Sequence, residues 1–154
     1  MSTNASLTWR CVAFPELTGQ ELYALLKLRV DVFVVEQQCP YPELDGQDEE
    51  ALHVLGTSTE QLVAYARILP PHGDGPLHIG RVVVHPEHRG TGLGMEVMRV
   101  SLRMVRERYG AVPVALSAQS HLQRFYESLG FVRTSEEYVW DGIPHVDMLL
   151  NAAT

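Results

Sequence analysis

Apolar residues recur along this chain with two different periods, and each period predicts a different kind of element. Early in the chain they recur every three or four positions, which predicts a helix over residues 20–35. Thr18 and Glu21 form a capping-box pattern at its start. The same spacing predicts a second helix between Gly92 and Gly110 and a short third one over residues 122–129.

Shorter apolar or alternating runs between and after these helices predict β-strands. They lie at residues 7–14, 52–56, 62–69, 77–84, 112–117, 131–140 and 145–150. Asp141 and Gly142 separate the last two runs, and this dipeptide is typical of a two-residue hairpin turn. The pattern predicts one mixed α/β domain over residues 1–154, with about seven strands and about three to four helices.

The composition is typical of a globular chain. Of the 154 residues, 45% are hydrophobic, which allows a well-filled core. The formal net charge of −7 disfavours a nucleic-acid partner, because such binding needs a basic surface. Neither a membrane span nor a secretory signal is visible, so we expect a cytoplasmic protein without a membrane partner. Cys11 and Cys39 alone cannot form a tetrahedral zinc site, and we expect no metal.

A glycine-rich segment stands between a predicted buried strand and the second helix. It reads Arg89-Gly90-Thr91-Gly92-Leu93-Gly94. Glycines let backbone N–H groups converge on one point, and a helix N-terminus adds unpaired donors and partial positive charge. The segment is therefore predicted to bind phosphate. It lacks the Gly-Lys-Ser/Thr of a Walker loop, and Val97 stands where a dinucleotide-binding loop carries its third glycine.

The remaining pattern, Arg-x-x-Gly-x-Gly at a helix start, resembles the GNAT acetyltransferase superfamily, where it binds the pyrophosphate of acetyl-CoA. By this resemblance all six loop residues, Arg89, Gly90, Thr91, Gly92, Leu93 and Gly94, are expected cofactor contacts. Phe125-Tyr126 and Gly130-Phe131 are similar to the family's second motif, whose tyrosine hydroxyl faces the CoA sulfur. The resemblance implies that Tyr126 hydrogen-bonds to or protonates the departing thiolate. Core packing at helical spacing also explains this tyrosine.

The resemblance extends over nearly the whole chain. Residues 28–46 and 141–148 resemble the ElaA-type subgroup of GNAT proteins. This implies the GNAT fold, a mixed sheet of six or seven strands that splays beside the fourth, with acetyl-CoA in the cleft. It also implies that the backbone of Val82 and Val84 pairs with the pantetheine arm and that Gln119, where the family often has asparagine, contacts it.

The resemblance further implies direct transfer of the acetyl group to an amine within a ternary complex. Cys39 stands between a glutamine and a proline without an evident activating base, and is not expected to carry an acyl group. The predicted fourth strand has no carboxylate to serve as a base, so the candidates are His53 and His145. A hydrogen-bonded structural histidine explains either of them equally well.

The acceptor, a small primary amine or a peptide amine, is expected between the segment that ends at Asp45 and the strand of His145. Its candidate contacts are Arg29, Phe33, Glu36 and Asp45. The acidic residues of this region either attract a cationic acceptor or form an ordinary solvated loop. They are Glu36, Glu43, Asp45 and Asp48.

Two other functions remain open at this point. The missing carboxylate is compatible with a module that senses acyl-CoA without turnover. The pattern over residues 29–36 is similar to that of acyl-homoserine-lactone synthases, which use S-adenosylmethionine as acceptor. The sequence does not specify the oligomeric state, and a homodimer is one option.

Overall fold

The structure, a computed structural model, describes residues 7–151, so the ends of the predicted domain (1–6 and 152–154) lie outside the described part. Its eight strands are β1 (Leu7–Ala13), β2 (Leu52–Ser58), β3 (Gln61–Leu69), β4 (Leu77–Val84), β5 (Val114–Gln119), β6 (Val132–Arg133), β7 (Tyr138–Trp140) and β8 (Ile143–Leu150). Its three α-helices are α1 (Gly19–Arg29), α2 (Leu93–Tyr109) and α3 (Gln123–Glu127). The predicted mixed α/β class is confirmed.

All eight strands form one mixed sheet, in the order β1-β2-β3-β4-β5-β8-β6, with β7 also pairing to β8. Neighbouring strands are antiparallel except β4 and β5, which are parallel. The parallel ladder has only two residue pairs, Leu77 with Val114 and His78 with Ala115. Beyond these pairs β4 and β5 continue without pairing to each other, so a cleft opens between them.

The single strand predicted over residues 131–140 is wrong, because the structure has two short strands there, β6 and β7. Both pair with β8, and residues 134–137 interrupt them. At the break the Ser135 hydroxyl accepts a hydrogen bond from the Asp147 amide at 2.9 Å, where a ladder would place a backbone carbonyl. At this point a side-chain hydroxyl takes the place of the backbone acceptor that a continuous strand would supply. The predicted turn at Asp141 and Gly142 is confirmed, and both residues have positive φ.

The predicted first helix is present but changes its winding along its length. The Thr18 hydroxyl accepts from the Glu21 amide at 3.0 Å, and Glu21 accepts from the Thr18 amide at 2.9 Å, which confirms the capping box. After α1 the chain continues as a π-helical segment, Val30–Glu36. This segment is rich in valine, whose β-branched side chain is crowded in an α-helix. The wider turn carries Phe33 and Glu36 into the cleft.

Helices α1 and α2 cover opposite faces of the sheet. Consecutive residues of one strand belong to different apolar clusters, Val54 to the α2 side and Leu55 to the α1 side, as expected from strand alternation. The α1 cluster includes Leu25, Leu28, Val32, Leu55, Tyr65 and Val83. The α2 cluster includes Val54, Ala66, Ile68, Val97, Met98 and Leu116. Each fully buried large aliphatic side chain contributes roughly 1.5–3 kcal/mol, so both helices hold the cleft walls firmly.

Candidate active site

A cleft of about 1050 Å³ occupies the space where β4 and β5 separate. Its walls come from the glycine loop, the free side of β4, the segment after α1, helix α3 and the turn between β7 and β8. The predicted site residues that line it are Phe33, Glu36, Asp45, Val82, Val84, Arg89, Gly90, Gly92, Leu93, Gly94, Gln119, Tyr126 and His145. Segments from distant parts of the chain therefore meet around one cavity.

The glycine loop has the geometry of an anion site. Gly90 and Gly92 have φ of +79° and +83°, a left-handed backbone that strains other residues. A Cβ at either position would meet no atom within 4 Å, so the loop surface is open. Thr91 does not line the cleft but braces the loop, since its hydroxyl donates to the His88 carbonyl at 2.7 Å. Helix α2 starts at Leu93, and its first amides have no helical acceptor. A diphosphate fits this arrangement.

Arg89 connects the glycine loop to the π-helical segment after α1. Its two terminal nitrogens donate to the two carboxylate oxygens of Glu36, at 2.6 and 2.8 Å. Its Nε points to the Val84 carbonyl at 3.4 Å. The Arg89 guanidinium lowers the pKa of Glu36, so this carboxylate is ionised at neutral pH. The loop's arginine therefore already has an internal anionic partner.

Strand β4 leaves part of its edge free toward the cleft. Its antiparallel register with β3 skips Arg81 and Val82, and Arg81 has a positive φ of 51°, which marks a bulge. Its parallel ladder with β5 ends at His78. Among residues 7–151, no strand covers the β5-facing side of β4 beyond that point. An extended ligand can add to such an edge by backbone hydrogen bonding.

Tyr126 lies on α3, and its ring is buried. The ring packs edge-on against Phe125 and Phe131, with centroids 5.0 and 6.0 Å away. The side chain lines the cleft, and its hydroxyl makes no hydrogen bond to the described residues 7–151. Burial raises the pKa of Tyr126 to about 12, so the hydroxyl stays protonated at neutral pH. It is available as a hydrogen-bond donor to a ligand.

His145 on β8 lines the cleft in a defined tautomer. Its Nδ1 lies 2.7 Å from the Ile143 carbonyl, which can only accept, so Nδ1 carries the hydrogen. In the neutral ring the other nitrogen, Nε2, has a lone pair, and within residues 7–151 it has no hydrogen-bond partner. The ring stacks on Tyr138 and tilts against Trp140, which fixes its plane. This is the arrangement that a general base requires.

The position of His53 corrects its prediction as a candidate base. It is fully buried and does not line the cleft. Its Nδ1 pairs with the Tyr65 hydroxyl at 2.6 Å and its Nε2 with the Asp48 carbonyl at 2.8 Å, so neither nitrogen is available. Burial lowers its pKa, which keeps the ring neutral. His53 is a structural histidine.

Arg29 likewise does not reach the cleft, which corrects its prediction as a direct acceptor contact. It is fully buried and belongs to a cluster of three arginines and three carboxylates, here called the ion cluster. The members are Arg29, Arg67, Arg81, Glu43, Asp45 and Asp48. The ion cluster ties the loop after α1 to α1, β3 and β4.

The ion cluster also changes the interpretation of the acidic residues. Asp45 pairs with Arg67 at 2.8 Å and with Arg81 at 3.3 Å, and its pKa falls to about 2 despite the opposing effect of burial, because these partners favour the ionised form. Glu43 and Asp48 each pair with two arginines. The acids predicted to attract a cation are therefore neutralised by the protein. The pairing of Arg67 and Arg81 with these carboxylates was not predicted from the sequence. One signal in the sequence indicates it, because an arginine within a buried apolar strand needs an anionic partner.

Two contacts join the segment after the π-helical turn to the other side of the cleft. The Gln119 amide donates to the Gln37 side chain at 3.3 Å. The Cys39 thiol donates to the Asp141 carbonyl in the β7–β8 turn. Cys39 thus joins the segment after the π-helical turn to the β7–β8 turn.

Among residues 7–151, no group of three or more histidine, cysteine, aspartate or glutamate side chains is placed to hold a metal ion. Within the same range, no helix has the length and apolar character that a bilayer crossing requires.

A sheet that splays open between β4 and β5, with a glycine loop at the start of α2 lining the cleft, is the arrangement of an acyl-CoA-type transferase fold. Residues 15–152 match the family described as the acetyltransferase (GNAT) domain, and the chain belongs to this family. The protein ElaA of Escherichia coli is 46% identical over 145 residues, which cover 92% of this chain and 95% of ElaA. The crystal structure of Escherichia coli ElaA superposes with a TM-score of 0.90 at 43% identity, covering 94% of this chain and 99% of that one.

A second solved structure is equally similar. It is an acyl-CoA N-acyltransferase from Pseudomonas aeruginosa, with a TM-score of 0.90 at 46% identity, covering 94% of this chain and 99% of that one. The predicted GNAT resemblance, its ElaA-type character and its fold are therefore confirmed.

Proposed function

We propose that this chain is an acetyl-CoA-dependent N-acetyltransferase that acetylates a small primary amine by direct attack in a ternary complex. The observation that carries the proposal is that three features line one cleft and leave donor or acceptor groups unpaired within residues 7–151. These are the open glycine loop, the Tyr126 hydroxyl and the His145 Nε2 atom. Together they would supply what acyl transfer requires, namely an anchor for the donor, a partner for the leaving sulfur and a base.

The glycine loop and the start of α2 would hold the pyrophosphate, with Arg89 beside them. From there the free side of β4 leads into the cleft, where the backbone at Val82 and Val84 would pair with the pantetheine arm. Gln119, across the cleft on β5, is the proposed contact from the other side. The proposed path places the thioester within the cleft that Tyr126 and His145 also line.

Acetyl-CoA supplies an acetyl group activated as a thioester. In the proposed reaction, His145 Nε2 takes a proton from the amine, the nitrogen bonds to the acetyl carbon, and the carbon–sulfur bond breaks. Tyr126 donates a hydrogen bond to the sulfur, which leaves with the bonding electrons. A thiol ordinarily has a pKa of roughly 8.5, far below the value of about 12 for Tyr126. Tyr126 would therefore stabilise the thiolate by hydrogen bonding and keep its own proton.

On the acceptor side, Phe33, Glu36 and Asp45 line the cleft from the segment that follows α1. Phe33 would provide apolar contact, and Asp45 would act through the arginines that it pairs with. Arg29 supports this wall from behind by holding Glu43 and Asp48.

A thiol-release assay with acetyl-CoA and a panel of primary amines tests the proposal. Free CoA should appear only when an acceptor is present. His145→Gln should depress kcat/KM most near neutral pH, and less at high pH where the amine is already unprotonated. His121→Gln is the matched control, since His121 also lines the cleft but is exposed and lies on another element. An unchanged pH profile for His145→Gln would exclude it as the base.

The same assay separates the two alternatives. A sensor would bind CoA, detected as a rise in melting temperature, without releasing thiol in the presence of any amine. A lactone-synthase-like enzyme would release thiol with S-adenosylmethionine and not with simple amines.

A further inference from the structure

Two large aromatic side chains stand half-exposed in the acceptor part of the cleft. Trp140 is 50% exposed and Tyr41 is 48% exposed, and both line the cavity. Aromatic rings are among the most favourable groups to bury, and each can remove roughly 150–250 Å² of surface from water. Rings that stay uncovered while lining a ligand cleft are therefore typical of a surface that a ligand covers.

A hydrogen bond holds together the two segments that carry these rings. Cys39, two residues before Tyr41, donates its thiol hydrogen to the carbonyl of Asp141, the residue after Trp140. The Tyr41 amide also donates to the Cys39 carbonyl at 2.8 Å, which folds the loop tightly. The loop with Tyr41 and the turn with Trp140 are thus joined across the cleft.

The candidate base, His145, lies beside Trp140. The centroid of the His145 ring is 5.7 Å from that of Trp140, and its Nε2 atom is unpartnered among the described residues. An amine nitrogen within hydrogen-bond reach of Nε2 would bring its carbon substituent close enough to contact Trp140. The position of the base therefore links the acceptor's nitrogen to its apolar part.

The charges nearby do not favour a polycation. Of the carboxylates that line this part of the cleft, Glu36 pairs with Arg89, and Glu43 and Asp45 pair with arginines of the ion cluster. Asp141 is the remaining one, and it lies in the exposed β7–β8 turn. A second ammonium group would have to break an internal ion pair or rely on this solvated carboxylate.

We infer that the acceptor is a primary amine carrying one aromatic group, an arylalkylamine, with its ring between Tyr41 and Trp140 and its nitrogen at His145. The inference rests on the proposed function and deepens it by naming the substrate class. It assigns Trp140 and Tyr41 as residues that determine specificity.

The test compares kcat/KM for 2-phenylethylamine, n-propylamine and putrescine in the thiol-release assay. Each amine has a short alkyl chain attached to the reacting nitrogen. The group at the far end of this chain is a phenyl ring, a methyl group or a second amine, respectively. Phenylethylamine should exceed propylamine by roughly 10- to 100-fold, the effect of burying one phenyl ring, and putrescine should not exceed propylamine. Trp140→Ala should bring the phenylethylamine-to-propylamine ratio toward one, and Trp140→Phe should largely restore it.

Val139→Ala is the matched control, because Val139 is the neighbouring exposed residue on β7 and does not line the cleft. It should leave the ratio unchanged. If Trp140→Ala fails to fold, as judged by its melting curve, Tyr41→Ala provides the same readout from the other side. Thiol release without preference for the aryl amine, or with preference for putrescine, would overturn this inference alone. The absence of release with every amine would overturn the proposed function and this inference with it.

Discussion

Replacing Glu36 by glutamine decides whether this residue competes with the cofactor for Arg89 or helps to place that arginine. In the structure both carboxylate oxygens of Glu36 accept from Arg89, and three of the five guanidinium hydrogens are engaged when the Val84 carbonyl is included. A pyrophosphate on the glycine loop would need donors from the same group. The carboxylate would also be a like charge beside it. We therefore expect competition.

The magnitude follows from the exposure of the pair. The side chains of Glu36 and Arg89 are 45% and 42% exposed, and an ion pair of that kind contributes about 0.2–1 kcal/mol. If binding of CoA breaks the pair, Glu36→Gln should lower the Kd for CoA by about 1.4- to 5-fold. The difference between variant and wild type should shrink as salt is raised, because exposed charges are screened.

Isothermal titration with CoA at low and high salt measures this effect. Asp31→Asn is the control, since it removes the same charge from another exposed ion pair, with Lys27, outside the cleft lining. It isolates the contribution of net charge alone. Weaker binding of CoA to Glu36→Gln than to Asp31→Asn would refute competition and would mean that Glu36 positions Arg89.

Two further predictions concern the interior. Tyr126→Phe should keep the Kd for CoA and lower kcat by roughly 10- to 150-fold, the worth of one hydrogen bond to a charged atom; an unchanged kcat with a good acceptor would leave Tyr126 a packing residue. Arg29→Met should lower the free energy of unfolding by about 3–5 kcal/mol, because it leaves buried carboxylates of Glu43 and Asp48 short of a partner. Urea denaturation measures this loss, and Arg103→Met, which removes an exposed arginine, is the control. An equal loss of stability in both variants would contradict a stabilising role of the ion cluster.

The glycine loop could be predicted because its chemistry is local. Left-handed glycines at a strand–helix junction are encoded by adjacent residues, and so are the capping box and the Asp141–Gly142 turn. Strand boundaries are less local, since β5 begins at Val114 and runs to Gln119, about two residues later than its apolar pattern predicts.

The choice between two histidines could not be made from sequence. His53 and His145 both lie in strand-like segments, and only the tertiary register separates them. His53 pairs opposite Arg67 on β3, next to the ion cluster, whereas His145 pairs opposite Gln119 at the end of β5 in the cleft. The same limit explains the acidic residues, whose neutralising arginines come from strands far along the chain.

The two-pair ladder between β4 and β5 has a mechanical consequence. Within residues 7–151, this ladder is where the strands β1 to β4 pair with the strands β5 to β8. A ligand that pairs with β4 in the open cleft would take the place of a strand and hold β4 and β5 in a fixed position relative to each other. Binding of a ligand in the cleft should then slow amide hydrogen exchange in both β4 and β5, including at residues that do not contact the ligand. The donor substrate of the proposed reaction would thus stabilise the sheet while it is bound, and this stabilisation would be lost when the product leaves.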